Sequence, residues 1–233
     1  MSIIDTPAKT TSKLTCLKNG GVTAIMRYYN FTNSHSLPEK RIQLSEAQAI
    51  SAAGLRLGVV FQQGQNSASA FSDEQGFRAG LRAFTYARGD IGQPTGSGIY
   101  FSVDFDATAS ETNQRVVPFF EGVKRAFDQE SNGGPSYRVG VYGSGLVSSI
   151  LTNEGLIELI WLAMSRGFSG TKAAIKAGAF NLNQLPSEQT LCGLDVDLNE
   201  ANPARPDFGT FTLAVTPAVV GVPAGTGGSV PTV

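Results

Sequence analysis

Gly98-Ile99-Tyr100-Phe101-Ser102-Val103-Asp104-Phe105-Asp106-Ala107 (GIYFSVDFDA) is an apolar strand pattern that runs into two aspartates two residues apart. In an extended strand, residues i and i+2 share a face, with Cα atoms roughly 6.6 Å apart. Tyr100, Ser102, Asp104 and Asp106 therefore form one face, and Ile99, Phe101, Val103 and Phe105 the other. Like charges crowded on one face cost free energy unless they bind, react or are solvated. If the apolar face meets surrounding helices, the aspartates point into the mouth of a barrel, where strand ends carry catalytic groups.

Similar short apolar runs recur outward from this stretch. Strands are expected at 2–5, 24–29, 57–62, 99–106, 138–142, 160–165, 180–184 and 193–197. Helical character falls between several of them. One helix opens near Leu44, with Ser45 and Gln48 in capping-box spacing. A second covers 72–88, with Phe77, Leu81, Phe84 and Tyr86 as its apolar stripe and Gly89 as its stop. A third covers 113–130, and a short fourth 153–158.

Strands alternating with helices imply parallel pairing through crossovers. Eight strands within about 200 residues favour a closed α/β barrel of the (β/α)8, TIM-like type. The open doubly wound sheet is the alternative. A nucleotide-binding sheet needs a glycine-rich turn after its first strand, whereas Asp5 is followed by Thr6-Pro7-Ala8. That selects the barrel, over residues 1–200. Beyond it, Ala201-Asn202-Pro203-Ala204-Arg205-Pro206 breaks any helix, and from Thr216 the chain is rich in Pro, Gly and Val. Residues 201–233 read as an extended C-terminal arm or linker that takes the place of the last helix, with packing on the domain or on a protein partner as its expected uses.

Composition narrows the function. The chain has 233 residues, 41% hydrophobic and 16% charged, with a formal net charge of −1. Nucleic-acid binders normally carry a basic face, so no nucleic-acid partner is expected. No run approaches the roughly 20 apolar residues of a membrane span. The start, MSIIDTPAKTTSK, lacks a basic segment followed by an apolar one, so no secretory signal is read and synthesis in the cytoplasm is expected. Cys16 and Cys192 match no metal or redox spacing. They could pair only if the fold brings them together, and two reduced thiols are the expectation.

Elimination then leaves carboxylates. His35 is the one histidine, in the polar segment Asn33-Ser34-His35-Ser36, and reads as a solvated side chain. Tyr142-Gly143-Ser144-Gly145 lacks the first glycine of a nucleophile elbow. One histidine and two distant cysteines do not suit zinc. Neither a cofactor nor a metal is expected, a hard cation held by clustered carboxylates being the weaker alternative.

Asp5 ends the first strand, Asp104 and Asp106 the fourth, and Asp195 and Asp197 the eighth, where Leu194, Val196 and Leu198 take the apolar phase. Strands one and eight are neighbours in a closed barrel, and the fourth lies across from them, so one pocket can hold all five acids. Clustered carboxylates raise one another's pKa, which makes a general acid near neutral pH. The competing reading of each aspartate is a turn or helix N-cap, above all for Asp106 before Ala107-Thr108. Arg27 with Tyr28 and Tyr29, Gln62 with Gln63, Tyr142, Trp161 and Gln184 also fall at strand ends, Trp161 at a strand start that suits burial. Aromatics stack on sugar faces while amides and acids bind hydroxyls, so this set suggests a carbohydrate cleft.

Asp5-Thr6, Arg27-Tyr28-Tyr29, Ala53-Gly54-Leu55, Ile99–Asp106, Val139–Gly145, Trp161-Leu162-Ala163 and Cys192–Asp197 together resemble a bacterial family. It is the glycoside-hydrolase-like domain of unknown function 1906, known from an exported mycobacterial protein, and the likeness runs from about Ser2 to Ala201. That family is similar to the glycoside hydrolase family 25 lysozymes, which cleave the muramic-acid-to-glucosamine bond of peptidoglycan. The resemblance implies a (β/α) barrel with an irregular last βα unit. It aligns Asp5, Asp104, Trp161 with Ala163, Gln184, and Asp195 or Asp197 with the lysozyme signature. Asp106 departs from it, standing where the lysozymes have the glutamate that protonates the leaving oxygen. A shift of about 1 Å in such a group costs on the order of 100-fold in rate.

On this reading Asp106 is the acid, and Asp104 stabilises the oxocarbenium-like centre or orients the substrate's acetamido group. Asp5, Asp195 and Asp197 tune these acids and bind hydroxyls, with Arg27, Tyr29, Gln62, Tyr142 and Gln184 completing the substrate site. The alternative is a non-catalytic glycan-binding barrel or a structural module of a phage or secretion assembly. A cell-wall substrate lies outside the cytoplasm, so export, injection or release by lysis is required.

Overall fold

Eight strands close into a barrel in chain order: β1 (Ser2–Asp5), β2 (Val22–Tyr29), β3 (Arg56–Phe61), β4 (Gly98–Ser102), β5 (Arg138–Gly143), β6 (Leu159–Leu162), β7 (Leu182–Leu191) and β8 (Leu194–Ala201). The computed structural model describes residues 2–214. Around the strands lie α1 (Leu14–Asn19), α2 (Leu44–Ala52), α3 (Asp73–Thr85), α4 (Ala109–Glu111), α5 (Val117–Ser131), α6 (Gly145–Asn153) and α7 (Thr171–Ala177). Each pairing from β1 to β7 is parallel. The α/β barrel expected from the sequence is the observed fold, and its last unit is irregular.

The irregularity has a local cause. Cys192 and Gly193, the two residues between β7 and β8, both have positive φ, at 55° and 77°. Such a turn reverses the chain, whereas a parallel strand needs a crossover of a dozen or more residues. β8 therefore runs antiparallel to both β7 and β1. Asp195 and Asp197 begin this strand rather than end it. Because the strand is reversed, its beginning lies at the mouth, with Asp197 opposite Asp5.

The hairpin tip also meets α1. Cys16 and Cys192 form a disulfide, with Cα atoms 6.1 Å apart, which overturns the expectation of two reduced thiols. Their 176-residue separation hid a proximity that only the closure of β8 onto β1 creates.

Side chains alternate as a period-two strand requires. Ile3, Ala24, Met26, Val60, Tyr100, Leu159, Trp161 and Leu182 point inward and fill the barrel. Ile25, Val59, Phe61, Ile99, Phe101 and Val141 point outward into the helical layer. Inner glycines make room for large neighbours: a Cβ on Gly140 would lie 2.6 Å from Tyr100 Cδ1. Phe208 belongs to the inner cluster, and its carbonyl accepts a hydrogen bond from the Tyr100 hydroxyl at 3.0 Å. Gly98 N donates to Gly209 O, and Phe211 bridges to Leu57. Residues 201–214 thus pack across the end of the barrel opposite the mouth. The segment from Thr216, read as a partner-docking tail, lies outside the described residues.

Helix boundaries depart from the sequence reading in instructive ways. Ser72 caps α3 by accepting from Gln75 N, but the helix runs on through a π-helical turn to Ile91 and stops at Gly92 (φ 69°), past Gly89. α3 buries Gly76, Ala79, Gly80, Ala83 and Phe84 rather than a Phe77–Leu81 stripe, because it packs closely on α5. A Cβ on Gly76 would lie 1.9 Å from Phe119 O. α2 starts at Leu44 without a side-chain cap, so Ser45 and Gln48 are inside it. α6 ends at Asn153, and the expected helix at 153–158 is a turn. The third expected helix begins at Val117, after α4 and a π-helical turn.

Candidate functional site

The inward phase of the strands becomes polar at the mouth. Tyr28, Gln62, Ser102, Asp104, Tyr142, Trp161, Gln184 and Asp197 line a cleft of about 640 Å³, extended by Met164, Arg166 and Phe168 from the loop after β6. Trp161 forms the floor. Its Nε1 donates to Asn199 Oδ1 at 2.8 Å, and Tyr100 and Tyr142 pack edge-on at centroid distances of 5.7 and 4.9 Å.

Gln184 links the walls. Its Oε1 accepts from the Tyr142 hydroxyl (2.7 Å) and from Met164 N (3.1 Å). Its Nε2 donates to Asp5 Oδ2 (3.0 Å) and Asp197 Oδ2 (2.9 Å). Asp5 is buried and receives two further bonds, from the Tyr28 hydroxyl at 3.1 Å and Asn199 Nδ2 at 2.8 Å. Burial nevertheless dominates and pushes its pKa up to about 7, with the Asp197 charge adding to the rise and the donors opposing it.

Across the cleft, Gln62 Nε2 donates to Asp104 Oδ2 at 3.2 Å, and Lys40 Nζ donates to Gln62 Oε1 at 2.7 Å. Lys40 also lies 4.7 Å from the Tyr28 ring centroid, a cation–π contact. Asp104 presents its carboxylate at the rim. Loss of hydration to the surrounding walls raises its pKa, against the pull of Lys40 and the Gln62 bond. Desolvation likewise raises Asp197, helped by Glu188, and lowers Lys40, opposed by Asp104. Carboxyl groups with raised pKa on two walls of an aromatic-floored cleft can retain and donate a proton nearer neutrality than free aspartate.

Not every residue expected at the site reaches it. Asp5, Gln62, Asp104, Tyr142, Gln184 and Asp197 converge on the mouth. Asp106 does not line the cleft, because β4 ends at Ser102 and the strand parity ends with it. Its exposed side chain accepts from Ser169 N at 2.7 Å, tying the loop after β4 to the loop before α7.

Arg27 and Tyr29 occupy the outward phase, since Tyr28 between them faces in. Arg27 is buried in an ion pair with Glu46 (3.0 Å) and also donates to Thr6 O and Glu39 O. Tyr29 donates to Gln93 Oε1 and packs edge-on against Tyr86. Asp195 lies on the hairpin, exposed, where its Oδ1 accepts from Thr190 Oγ1. It borders a second hollow of about 630 Å³ beside the first. His35 is an exposed loop residue.

Tyr28, grouped in the sequence with the strand-end aromatics, also lines the mouth, and Ser102, Asn199 and Lys40 complete it without having been assigned to it. Strand parity could have found Ser102 and Asn199, which share a phase with Tyr100 and Asp197. Lys40 comes from an irregular loop and carries no such signal. Among the described residues, no group of three or more His, Cys, Asp or Glu side chains is arranged to hold a metal ion. No helix among them is long and apolar enough to cross a membrane.

The family model described as "Rv2525c-like, glycoside hydrolase-like domain" matches residues 15–193. The chain is 36% identical over 166 residues to the uncharacterized protein YbfG of Bacillus subtilis, covering 69% of this chain and 22% of that protein. It is 26% identical over 176 residues to the Mycobacterium tuberculosis protein named "Putative peptidoglycan hydrolase Rv2525c", covering 74% of this chain and 67% of that one. The chain thus spans less than a quarter of YbfG. Among solved structures, the Tat-secreted protein Rv2525c of Mycobacterium tuberculosis in complex with HEPES superposes with a TM-score of 0.71 at 21% identity, over 90% of this chain and 98% of that one. An uncharacterized B. stearothermophilus protein superposes with a TM-score of 0.63 at 16% identity, over 89% and 99%. At these identities the two structures speak for the fold.

Proposed function

The chain belongs to the Rv2525c-like, glycoside hydrolase-like family, and from that premise we propose that it cleaves bacterial peptidoglycan or a related N-acetylated glycan, with Asp104 as the proton donor. The observation that carries this reading is the position of Asp104. It faces a tryptophan-floored cleft, its pKa raised, opposite Asp5 and Asp197 on the neighbouring strands β1 and β8.

Asp104 gives its proton to the glycosidic oxygen as the bond to the anomeric carbon breaks. Asp197 stabilises the positive charge that develops there, or aligns the acetamido oxygen as the internal nucleophile. Gln184 donates to both Asp197 and Asp5, Asn199 donates to Asp5 and Gln62 to Asp104, and the Trp161 floor with the Tyr142 ring packs against the sugar. The relative named as a peptidoglycan hydrolase supports the choice of glycan. Its description as Tat-secreted and the disulfide of the present chain both support action outside the reducing cytoplasm.

A second reading, glycan binding without turnover, is favoured by Asp106. Asp106, which the resemblance to the lysozymes aligns with their acid, is bonded to Ser169 N and is not among the residues lining the cleft. Release of soluble fragments from purified sacculi separates the readings. We expect release by the native protein, a loss of about 100-fold or more in Asp104→Asn, and near-native release by Asp106→Asn. Loss in Asp106→Asn alone overturns the assignment of the acid. Co-sedimentation with sacculi but no release by the native protein overturns turnover in favour of binding.

A further inference from the structure

The hairpin of β7 and β8 does more than close the sheet. Its ladder slips in register between Gln184 and Glu188, and beyond that point the residue pairs from Glu188 with Asp197 to Leu191 with Leu194 form an outer half. Glu188, Gln189, Thr190 and Asp195 of this outer half border the second hollow, with Leu37 and Lys40 on the facing bank. The two hollows share Tyr28, Gln62 and Asp197, so they join into one groove across the mouth.

Asp5, Glu188, Asp195 and Asp197 face the second hollow together with one cation, Lys40. That balance repels polyanions. Its amide, hydroxyl and carboxylate groups suit the hydroxyls of an uncharged sugar chain, and exposed Leu37 offers an apolar contact on the facing bank.

The tip of the hairpin is fastened at one covalent point. Cys192, in the two-residue turn, is bonded to Cys16 of α1, and Cys16 is exposed, so thiols can reach the bond. The remaining ties here are the Thr6 hydroxyl to Asp195 O at 2.8 Å, the buried Val196 and the partly buried Leu191 and Leu194.

We infer that the outer half of the hairpin is the second bank of an extended groove for an uncharged N-acetylated glycan, and that the Cys16–Cys192 bond keeps this bank in place. The inference rests on the glycan reading above and adds to it the length of chain bound and a redox dependence. Short glycans fill the Trp161 half of the groove and do not depend on the bond. Longer ones cross to the hairpin and do.

The test uses the N-acetylglucosamine dimer and hexamer, titrated by calorimetry into the Asp104→Asn protein, which binds without cleaving, both oxidised and thiol-reduced with its near-ultraviolet circular dichroism kept. Reduction is expected to weaken the hexamer by roughly tenfold or more while the dimer stays within about twofold, since only the hexamer spans both halves. Gln189→Ala in the oxidised protein, which leaves the bond and the barrel core untouched, is expected to weaken the hexamer alone. Equal loss of both oligomers on reduction, or no loss of either, overturns the latch. Hexamer affinity unchanged in Gln189→Ala overturns the second bank, and oligogalacturonate binding as tightly as the hexamer overturns the uncharged chain. Binding of neither oligomer by the oxidised protein overturns the glycan reading and this inference with it.

Discussion

Asp5→Asn is expected to make the folded protein more stable at neutral pH, and by an amount that depends on pH. Asp5 is buried, with its pKa raised from 3.8 to about 7. Between those values the unfolded chain has released the Asp5 proton while the folded chain still holds it. The stability contributed by the protonated group is therefore complete below about pH 4 and is lost as pH rises through 7. Three units at about 1.4 kcal/mol each put the loss on the order of 4 kcal/mol. Asparagine does not titrate and fits the same partners. Its oxygen accepts from Gln184 and Asn199, while its amide faces Tyr28, whose hydroxyl turns from donor to acceptor. Urea unfolding of both proteins at half-unit steps from pH 4 to 8 gives the difference directly. It should grow in favour of Asn by about 1.4 kcal/mol per pH unit up to 7 and then level off. A difference constant across this range would refute the buried, proton-retaining state of Asp5.

Three further substitutions test the packing around the barrel. Arg27→Met leaves Glu46 charged and buried with only the Thr10 amide and hydroxyl as donors, and is expected to cost about 3–5 kcal/mol in urea unfolding. A cost below 1 kcal/mol, the scale of a solvated pair, would contradict that burial. Gly76→Ala places a Cβ 1.9 Å from the Phe119 carbonyl oxygen, where backbone cannot yield, so overpacking of about 1–3 kcal/mol outweighs the helical gain of about 1 kcal/mol. Gly89→Ala meets nothing within 4 Å and is expected to be neutral or slightly stabilising, so of a pair of thermal melts only that of Gly76→Ala falls below the native one.

Strand periodicity explains what was legible beforehand. Short apolar runs alternating with helical stretches located all eight strands, and the missing glycine turn after Asp5 rejected the open sheet. What periodicity cannot see is where a strand stops. GIYFSVDFDA keeps its alternation through Asp106, yet the ladder ends at Ser102 and the chain turns Asp106 toward Ser169. Parity also assigns faces only once the phase is known. Reading Arg27 and Tyr29 as inward was a one-residue error that moved both from the helical layer to the cleft. The position of Asp197 was right because two mistakes cancelled, the end of the strand and its direction. Long-range facts left no local trace at all: the Cys16–Cys192 bond, the closure of the barrel floor by Phe208, and Lys40 reaching Gln62 from an irregular loop.

The chain contains a single tryptophan, Trp161, and it lies in the floor of the cleft, so its emission reports on that cleft alone. Titration of N-acetylglucosamine oligomers into the native protein and into Asp104→Asn should shift Trp161 fluorescence saturably in both, while only the native protein goes on to cleave the longer oligomers. Saturable binding detected by calorimetry with no change in Trp161 emission would place the glycan elsewhere and contradict the assignment of this barrel mouth as its site.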